Sequence, residues 1–298
     1  MRILCLVALL FAAPAAAQQD FSAVEIETVP VADGVFMLVG AGGNVGLFTG
    51  ADGAFLIDDQ YAPLTEKLAA AVAAQTDAPV RFVVNTHWHG DHTGGNEAWG
   101  ERGALLVAHE NVRERMSTDQ FLAAFDTTVP AAPEGALPVV TFTDAVTFHW
   151  NGDEVRVFHV HHAHTDGDAV IHLAGADVLH AGDTYFNGMY PFIDVSSGGS
   201  LDGMIAAADT LLALAGPDTR IIPGHGPLSG RAELEAYRDL LGAARDRIGA
   251  LIAEGRSREE VVAAQPMAEF DAAWGGGFMA PDRWTGIVYD ALAAADAP

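Results

Sequence analysis

Apolar positions along the chain fall into two periods. Short runs rich in Val, Ile, Leu and Phe occur at Val24–Glu27, Val35–Val39, Val45–Phe48 and Ala54–Ile57, punctuated by Gly34, Gly42-Gly43 and Asp52-Gly53. Such runs between turn residues predict consecutive antiparallel strands. The alanine-rich stretch Pro63–Ala74 reads as a helix with proline in its first turn. A strand through Phe82-Val83-Val84 follows, then a strand at Ala104–Ala108, short helices between Glu110 and Phe125, and a proline-containing loop over Thr127–Pro138. The second half repeats this style. Strands are expected at Val139–Phe142, Glu154–His159, Ala169–Leu173, Asp177–Ala181 and Arg220–Ile222, and helices at Leu201–Ala215 and Gly230–Ala253. In the last of these, Leu234, Tyr237, Leu241, Ile248 and Ile252 recur near the helical period and should face a core. Ser257, with Glu260 three residues on, has the spacing of a capping box opening a further helix. Strands followed by helices in both halves predict two sheets sandwiched between helical layers.

The N-terminus has another character. Arg2, the apolar stretch Ile3–Ala13 and the small residues Ala15-Ala16-Ala17 read as a secretory signal over residues 1–17, cleaved before Gln18. The apolar stretch is too short to span a bilayer, and no later segment is a candidate membrane span. Residues 18–298 are then expected to form a single domain, periplasmic or secreted. The only cysteine, Cys5, lies inside the signal, so the mature chain has neither disulfide nor thiolate. A formal net charge of −25 argues against nucleic acid as a partner. It suits a small neutral or cationic substrate; oligomeric state is left open.

Candidate chemistry begins two residues after the Phe82-Val83-Val84 strand, at His87-Trp88-His89-Gly90-Asp91-His92. Four metal-capable side chains within six residues, in a loop leaving a strand, suit zinc, with manganese or iron as substitutes. In extended chain, residues two apart share a side, so His87 and His89 can grip one ion while Asp91 and His92 face another. Three later signals have the same placement just past a strand with glycine nearby: His164 in His-Thr-Asp-Gly-Asp, Asp183 in Gly-Asp-Thr, and His225 in Gly-His-Gly. His161 and His162 are further candidates to line the site, although packing or exposure is the more ordinary fate. His109, His149, His172 and His180 read as structural. The glycine-rich Gly40–Asn44 segment is expected to be a flexible hairpin over the site, and Trp88 either a pocket wall or core.

On these residues, together with Asp58 at the end of Phe55-Leu56-Ile57, the chain resembles the metallo-β-lactamase superfamily over roughly Val35 to Leu241. The resemblance implies an α/β fold, a four-layer αββα sandwich with a site for two zinc ions along one edge. His87, His89 and His164 would hold the first ion; Asp91, His92 and His225 the second; Asp183 would bridge them; and Asp58 would orient a ligand from behind. A hydroxide between ions roughly 3.5–4 Å apart would attack a carbonyl carbon, with Asp91 as the catalytic proton handler. Asn187 or Tyr190 would contact substrate. The implied activity is hydrolysis of a β-lactam, lactone, ester or thioester.

Two departures bear on that activity. Broad-spectrum β-lactamases of the superfamily commonly carry cysteine where Asp183 stands, and a lysine soon after it. Here Thr184-Tyr185-Phe186-Asn187 follows, without a basic group. An aspartate bridge is similar to that of glyoxalase II, which is intracellular and has a basic C-terminal region that this chain lacks. Retention of His89 favours hydrolytic zinc over the diiron relatives, which place glutamate there. The alternatives are an iron-dependent sulfur oxygenase resembling persulfide dioxygenase and a non-catalytic metal-binding protein.

Overall fold

The computed structural model describes residues 20–295; the expected signal peptide lies outside the described residues. Its first half is built from β1 (Glu27–Ala32), β2 (Val35–Val39), β3 (Val45–Phe48), β4 (Ala54–Ile57), α1 (Thr65–Ala73), β5 (Val80–Val84), the single turn α2 (Gly90–Thr93), α3 (Asn96–Glu101), β6 (Leu105–His109) and α4 (Glu110–Met116). A small hairpin of β7 (Gln120–Leu122) and β8 (Thr127–Val129) follows, then β9 (Val140–Phe142). The second half runs β10 (Ala145–Trp150), β11 (Asp153–His159), β12 (Ala169–Leu173), β13 (Val178–His180), α5 (Leu201–Leu214), β14 (Arg220–Ile222), α6 (Arg231–Ala253), α7 (Arg258–Ala264), α8 (Asp271–Trp274) and α9 (Pro281–Ala295).

The strands form a seven-stranded sheet in the order β1-β2-β3-β4-β5-β6-β9 and a five-stranded sheet in the order β10-β11-β12-β13-β14. β1 to β4 pair antiparallel in succession, as their turn residues predict, and β4, β5, β6 and β9 pair parallel. Between the sheets lies one apolar layer, with Val35, Met37, Phe55, Ile57 and Val84 from the first packed against Val155, Val157, Ile171, Val178 and Ile222 from the second. Leu68 and Val72 of α1 and Trp99 of α3 cover the outer face of the first sheet. Leu211 of α5, Leu234, Tyr237, Leu241 and Ile248 of α6, and Trp284 and Val288 of α9 cover the second. The result is the expected four-layer αββα sandwich. Among the described residues no helix is long and apolar enough to cross a membrane.

Four local expectations are corrected. The first strand lies at Glu27–Ala32 rather than Val24–Glu27, and it contains Pro30. Proline is tolerated there because β1 is an edge strand, and its ladder shifts register between Pro30 and Ala32. The region expected to be helix and loop contains the β7–β8 hairpin, turned at Asp126, whose φ is 49°. β10 was not expected, although Val146, Phe148 and Trp150 alternate with exposed residues along it. The terminal helix α9 was also missed, despite Pro281 at its start and buried Trp284, Ile287, Val288 and Ala291 at helical spacing.

Candidate metal centre

Every candidate ligand leaves the same end of the two sheets. Asp58 follows β4, His87 and His89 follow β5, and Asp91 and His92 sit in the turn α2. His164 follows β11, Asp183 follows β13 and His225 follows β14. The folded chain assembles them into two groups, His87, His89, His164 and Asp183, and Asp91, His92 and His225; within each, one ligand atom from every member lies within 4.8 Å of the others. Asp183 faces both. Its Oδ2 is 3.6 Å from His164 Nε2 and 3.8 Å from His87 Nε2, and also 3.4 Å from His225 Nε2, while Oδ1 is 3.1 Å from His92 Nε2. Asp91 Oδ2 is 3.5 Å from His92 Nε2 and 3.3 Å from His225 Nε2.

The outward nitrogens of four imidazoles are engaged, which assigns their tautomers from the hydrogen-bond network. His92 Nδ1 donates to Asp58 Oδ2 at 2.7 Å, His164 Nδ1 to the Phe192 carbonyl at 2.8 Å, and His89 Nε2 to Asp194 Oδ2 at 3.0 Å. The Thr86 hydroxyl donates to Asp58 Oδ2 at 2.8 Å and so accepts from His87 Nδ1 at 3.0 Å. The remaining nitrogens of His87, His89 and His164 therefore present lone pairs inward. His89 Nδ1 stands 3.1 Å from His87 Nε2 and 2.9 Å from His164 Nε2, a convergence of lone pairs that a cation relieves. His92 Nε2 and Asp183 Oδ1 are buried without a hydrogen-bond partner. A five-histidine, two-carboxylate donor set of this kind fits two metal ions, with ligand orientation fixed from behind by Asp58, Thr86 and Asp194.

Electrostatics divide the cluster. Burial, reinforced by neighbouring imidazoles, holds His87 well below the ordinary histidine range and pushes His164 down to about 4, so both are neutral. Burial also opposes charge on His92 and His225, but the surrounding carboxylates outweigh it: Asp183, Asp91 and Asp58 lift His92, and Asp183 and Asp91 lift His225 to about 9. Burial likewise works against charge on Asp91 and Asp183, yet His92 and His225 hold both below the usual carboxylate range.

The backbone around the cluster is tightly fitted. A Cβ at Gly224 would lie 2.1 Å from Asp183 Oδ1, so only glycine lets that strand end pass. Asp58 adopts φ 63° to turn its carboxylate beneath the ligands. The Gly40–Asn44 segment is pinned rather than a flexible hairpin. Gly42 N donates to Gln60 Oε1, Gly43 N to the Asp91 carbonyl and Asn44 N to the Gly224 carbonyl, and Asn44 Nδ2 donates to the carbonyls of Pro223 and Gly226.

The two residues expected to contact substrate are engaged elsewhere. Tyr190 is fully buried, stacks on Trp284 at 4.1 Å and donates its hydroxyl to Asp271 Oδ1 at 2.7 Å. Asn187 is buried and donates its amide to the Pro227 carbonyl at 2.9 Å. Neither lines the cavity of about 560 Å³ that opens onto Asp91, Asp183, His89 and His225. Trp88 serves in both expected ways, buried in a small apolar cluster while walling this cavity. His161 and His162 are exposed, and His180 is a buried structural residue donating to the Asn44 carbonyl. Tyr61, Thr86 and Asp194 were missed. Asp194 carries no local signal, since it meets His89 across 105 residues of chain; Tyr61 lies three positions past Asp58 on a segment that had to turn back toward the ligands.

Comparison with known proteins agrees with this architecture. Hydroxyacylglutathione hydrolase of Nitrosococcus oceani is 28% identical over 204 residues, covering 66% of this chain and 66% of that protein. The enzyme of the same name from a Polaromonas species is 27% identical, covering 59% of this chain and 60% of its own length. The chain thus spans about 60–66% of the length of these two relatives. The type 2 metallo-beta-lactamase of Bacteroides fragilis is 23% identical over 179 residues, covering 59% of this chain and 66% of that protein. Among solved structures, a metallo-beta-lactamase from Pontibacter korlensis superposes with a TM-score of 0.60 at 23% identity, covering 73% of this chain and 99% of that one. The DIM-1 metallo-beta-lactamase does so with 0.57 at 21% identity, covering 74% and 99%. A family model described as the metallo-beta-lactamase superfamily matches residues 38–227. With that match across most of the two sheets and all seven candidate ligands, the chain belongs to the metallo-β-lactamase superfamily.

Proposed function

We propose that the protein is an exported, zinc-dependent hydrolase that opens a carbonyl compound by direct attack of water, without an acyl-enzyme. The observation that carries this reading is the pairing of two ligand groups through Asp183 beneath an open cavity. A merely structural zinc site is closed by four protein ligands, whereas this one shares a carboxylate and faces solvent. Bound zinc would supply a Lewis acid and lower the pKa of water from about 15.7 to about 7.

The chain's own groups do the rest. Asp91, partly exposed at the cavity floor, is placed to accept a proton from attacking water and deliver it to the leaving group. Tyr61 lines the same cavity, and burial together with Asp91 and Asp183 raises its phenol well above the usual range, so it keeps its proton and can donate a hydrogen bond. It is suited to hold a developing oxyanion or a leaving oxygen. No serine or cysteine nucleophile is needed. Export rests on the Arg2–Ala17 stretch and suits a chain without disulfides or a thiolate ligand.

Metal analysis of the purified protein should give two zinc per chain. A screen against an ester, a lactone, a β-lactam and a glutathione thioester should find turnover of at least one. Asp91→Ala should lower kcat by roughly 10²–10⁴. Full activity in that variant, or one tightly held iron in place of two zinc, would sink the proposal.

A further inference from the structure

The walls of the cavity above the candidate metal centre are a second, independent source of information. They are made by Trp88, Leu122, Phe125, Val129, Phe192 and Phe278, with no lysine or arginine among the lining residues. Aromatic rings flank both ends of the ligand cluster. Phe192 stacks on His89 at 5.8 Å and meets Phe125 edge-on at 5.0 Å, while Phe278 lies 5.9 Å from His225. Phe278 is 53% exposed and Phe125 37%, so both rings offer apolar surface to whatever enters the cavity. Two of the chain's basic groups show where such side chains are engaged instead. Lys67, its single lysine, donates to the carbonyls of Phe21, Ser22 and Val24. Arg283, whose guanidinium carbon lies 4.5 Å from the Phe125 ring centroid, donates to the Ala124 carbonyl and lines a separate cavity.

A carboxylate entering this space would lose water and meet no lysine or arginine on the apolar walls, whereas an alkyl or aryl group would gain by burial. We infer that the substrate is an uncharged carbonyl compound whose acyl arm, aliphatic or aromatic, lies against Phe125, Phe192 and Phe278, and that carboxylate-bearing substrates are disfavoured. The inference rests on the hydrolase reading and narrows it. It separates this chain from the glutathione-conjugate activity in the names of its curated relatives, because a glutathione thioester brings carboxylates.

The test compares esters that share one leaving group. p-Nitrophenyl hexanoate and mono-p-nitrophenyl adipate differ only in a terminal methyl or carboxylate. The two-zinc protein should favour the hexanoate at least tenfold in kcat/KM. Lengthening acetate to butanoate should gain roughly fifteenfold, since each of the two added methylenes is worth about fourfold when buried. In Phe125→Ala and Phe278→Ala the butanoate-to-acetate ratio should fall below about threefold. Phe278→Lys, at a half-exposed position that does not hold the core, should move preference toward the adipate. A binding measurement does not depend on turnover: by calorimetry, metal-free protein should take up N-phenylhexanamide and not its ω-carboxylate analogue. Equal or better turnover of the adipate, or ratios unmoved by the substitutions, overturns the substrate class and leaves the hydrolase reading standing. Absence of turnover of every ester, lactone, β-lactam and thioester, with the amide still bound selectively, overturns the hydrolase reading and leaves the apolar subsite standing.

Discussion

Replacing Asp58 by asparagine should weaken zinc binding without disturbing the fold. Asp58 is fully buried, and its two oxygens accept three hydrogen bonds: Oδ1 from Thr86 N at 2.7 Å, and Oδ2 from the Thr86 hydroxyl at 2.8 Å and His92 Nδ1 at 2.7 Å. An asparagine can present only one acceptor oxygen. With that oxygen toward His92, its NH2 faces the Thr86 N–H; with the amide turned over, its NH2 faces His92 Nδ1–H. Either way two donors meet. Relief comes from moving the His92 proton to Nε2, the nitrogen aimed at the metal position. The disturbance reaches His87 as well, because the Thr86 hydroxyl links that ring to Asp58. Asparagine is among the residues that tolerate the left-handed conformation at φ 63°, so backbone strain is not introduced. Loss of such an orienting partner typically costs 10–100-fold in metal affinity, about 1.4–2.8 kcal/mol. Stepwise zinc competition against a chromophoric chelator reads this directly, with circular dichroism confirming the fold. Asp58→Asn should loosen both ions. Asp194→Asn, whose carboxylate reaches only His89 among the ligand side chains, should loosen the ion held by His87, His89 and His164. If Asp58→Asn keeps both affinities within twofold of the parent, the carboxylate does not set the tautomers and the reasoning fails.

Further outcomes follow from contacts elsewhere. Gly224→Ala puts a methyl 2.1 Å from Asp183 Oδ1, so it should cost at least tenfold in zinc affinity, measured by the same competition. Tyr190→Phe should leave kcat/KM within twofold while lowering stability by about 1 kcal/mol in urea unfolding, because its hydroxyl serves Asp271 rather than substrate; a tenfold loss of activity would restore it to the site. Burial, reinforced by His109 stacked on it at 4.0 Å, pushes His159 down to about 4. A histidine depressed in the folded state is neutral there, while the unfolded chain takes up its proton first, near pH 6.5. Its stabilisation is therefore complete above about pH 6.5 and is lost as pH falls toward 4. Thermal unfolding of His159→Asn should show a shallower acid dependence than the parent over that window, and an identical slope would contradict the assignment.

The cluster was legible in the sequence because its ligands sit at strand ends and carry short-range spacing. His87 to His92 lie within a single turn, and His164, Asp183 and His225 each follow a recognisable apolar run beside glycine. Of the partners behind those ligands, Asp58 was legible from its place at the end of an apolar run, whereas Asp194 and Thr86 were not. Asp194 reaches His89 through a loop whose path depends on α5 and the second sheet, and Thr86 gains its role only once Asp58 turns back at a positive φ. Residue type misled in the same region. Tyr190 and Asn187 are polar residues on a loop beside a ligand, which on composition alone suits substrate contact. Yet that loop is drawn into the core by Trp284, on a helix whose period was present in the sequence but lay beyond the last motif. The cavity wall shows the converse: Phe125 and Phe278 come from segments with no chemical signature, far apart in the chain, and only the fold brings them to either side of the ligands. Chemistry at the metal is thus written locally, while selection of what reaches it is written in long-range packing. Exchanging Phe278 should therefore alter substrate preference without altering zinc content, and Asp58→Asn should do the reverse.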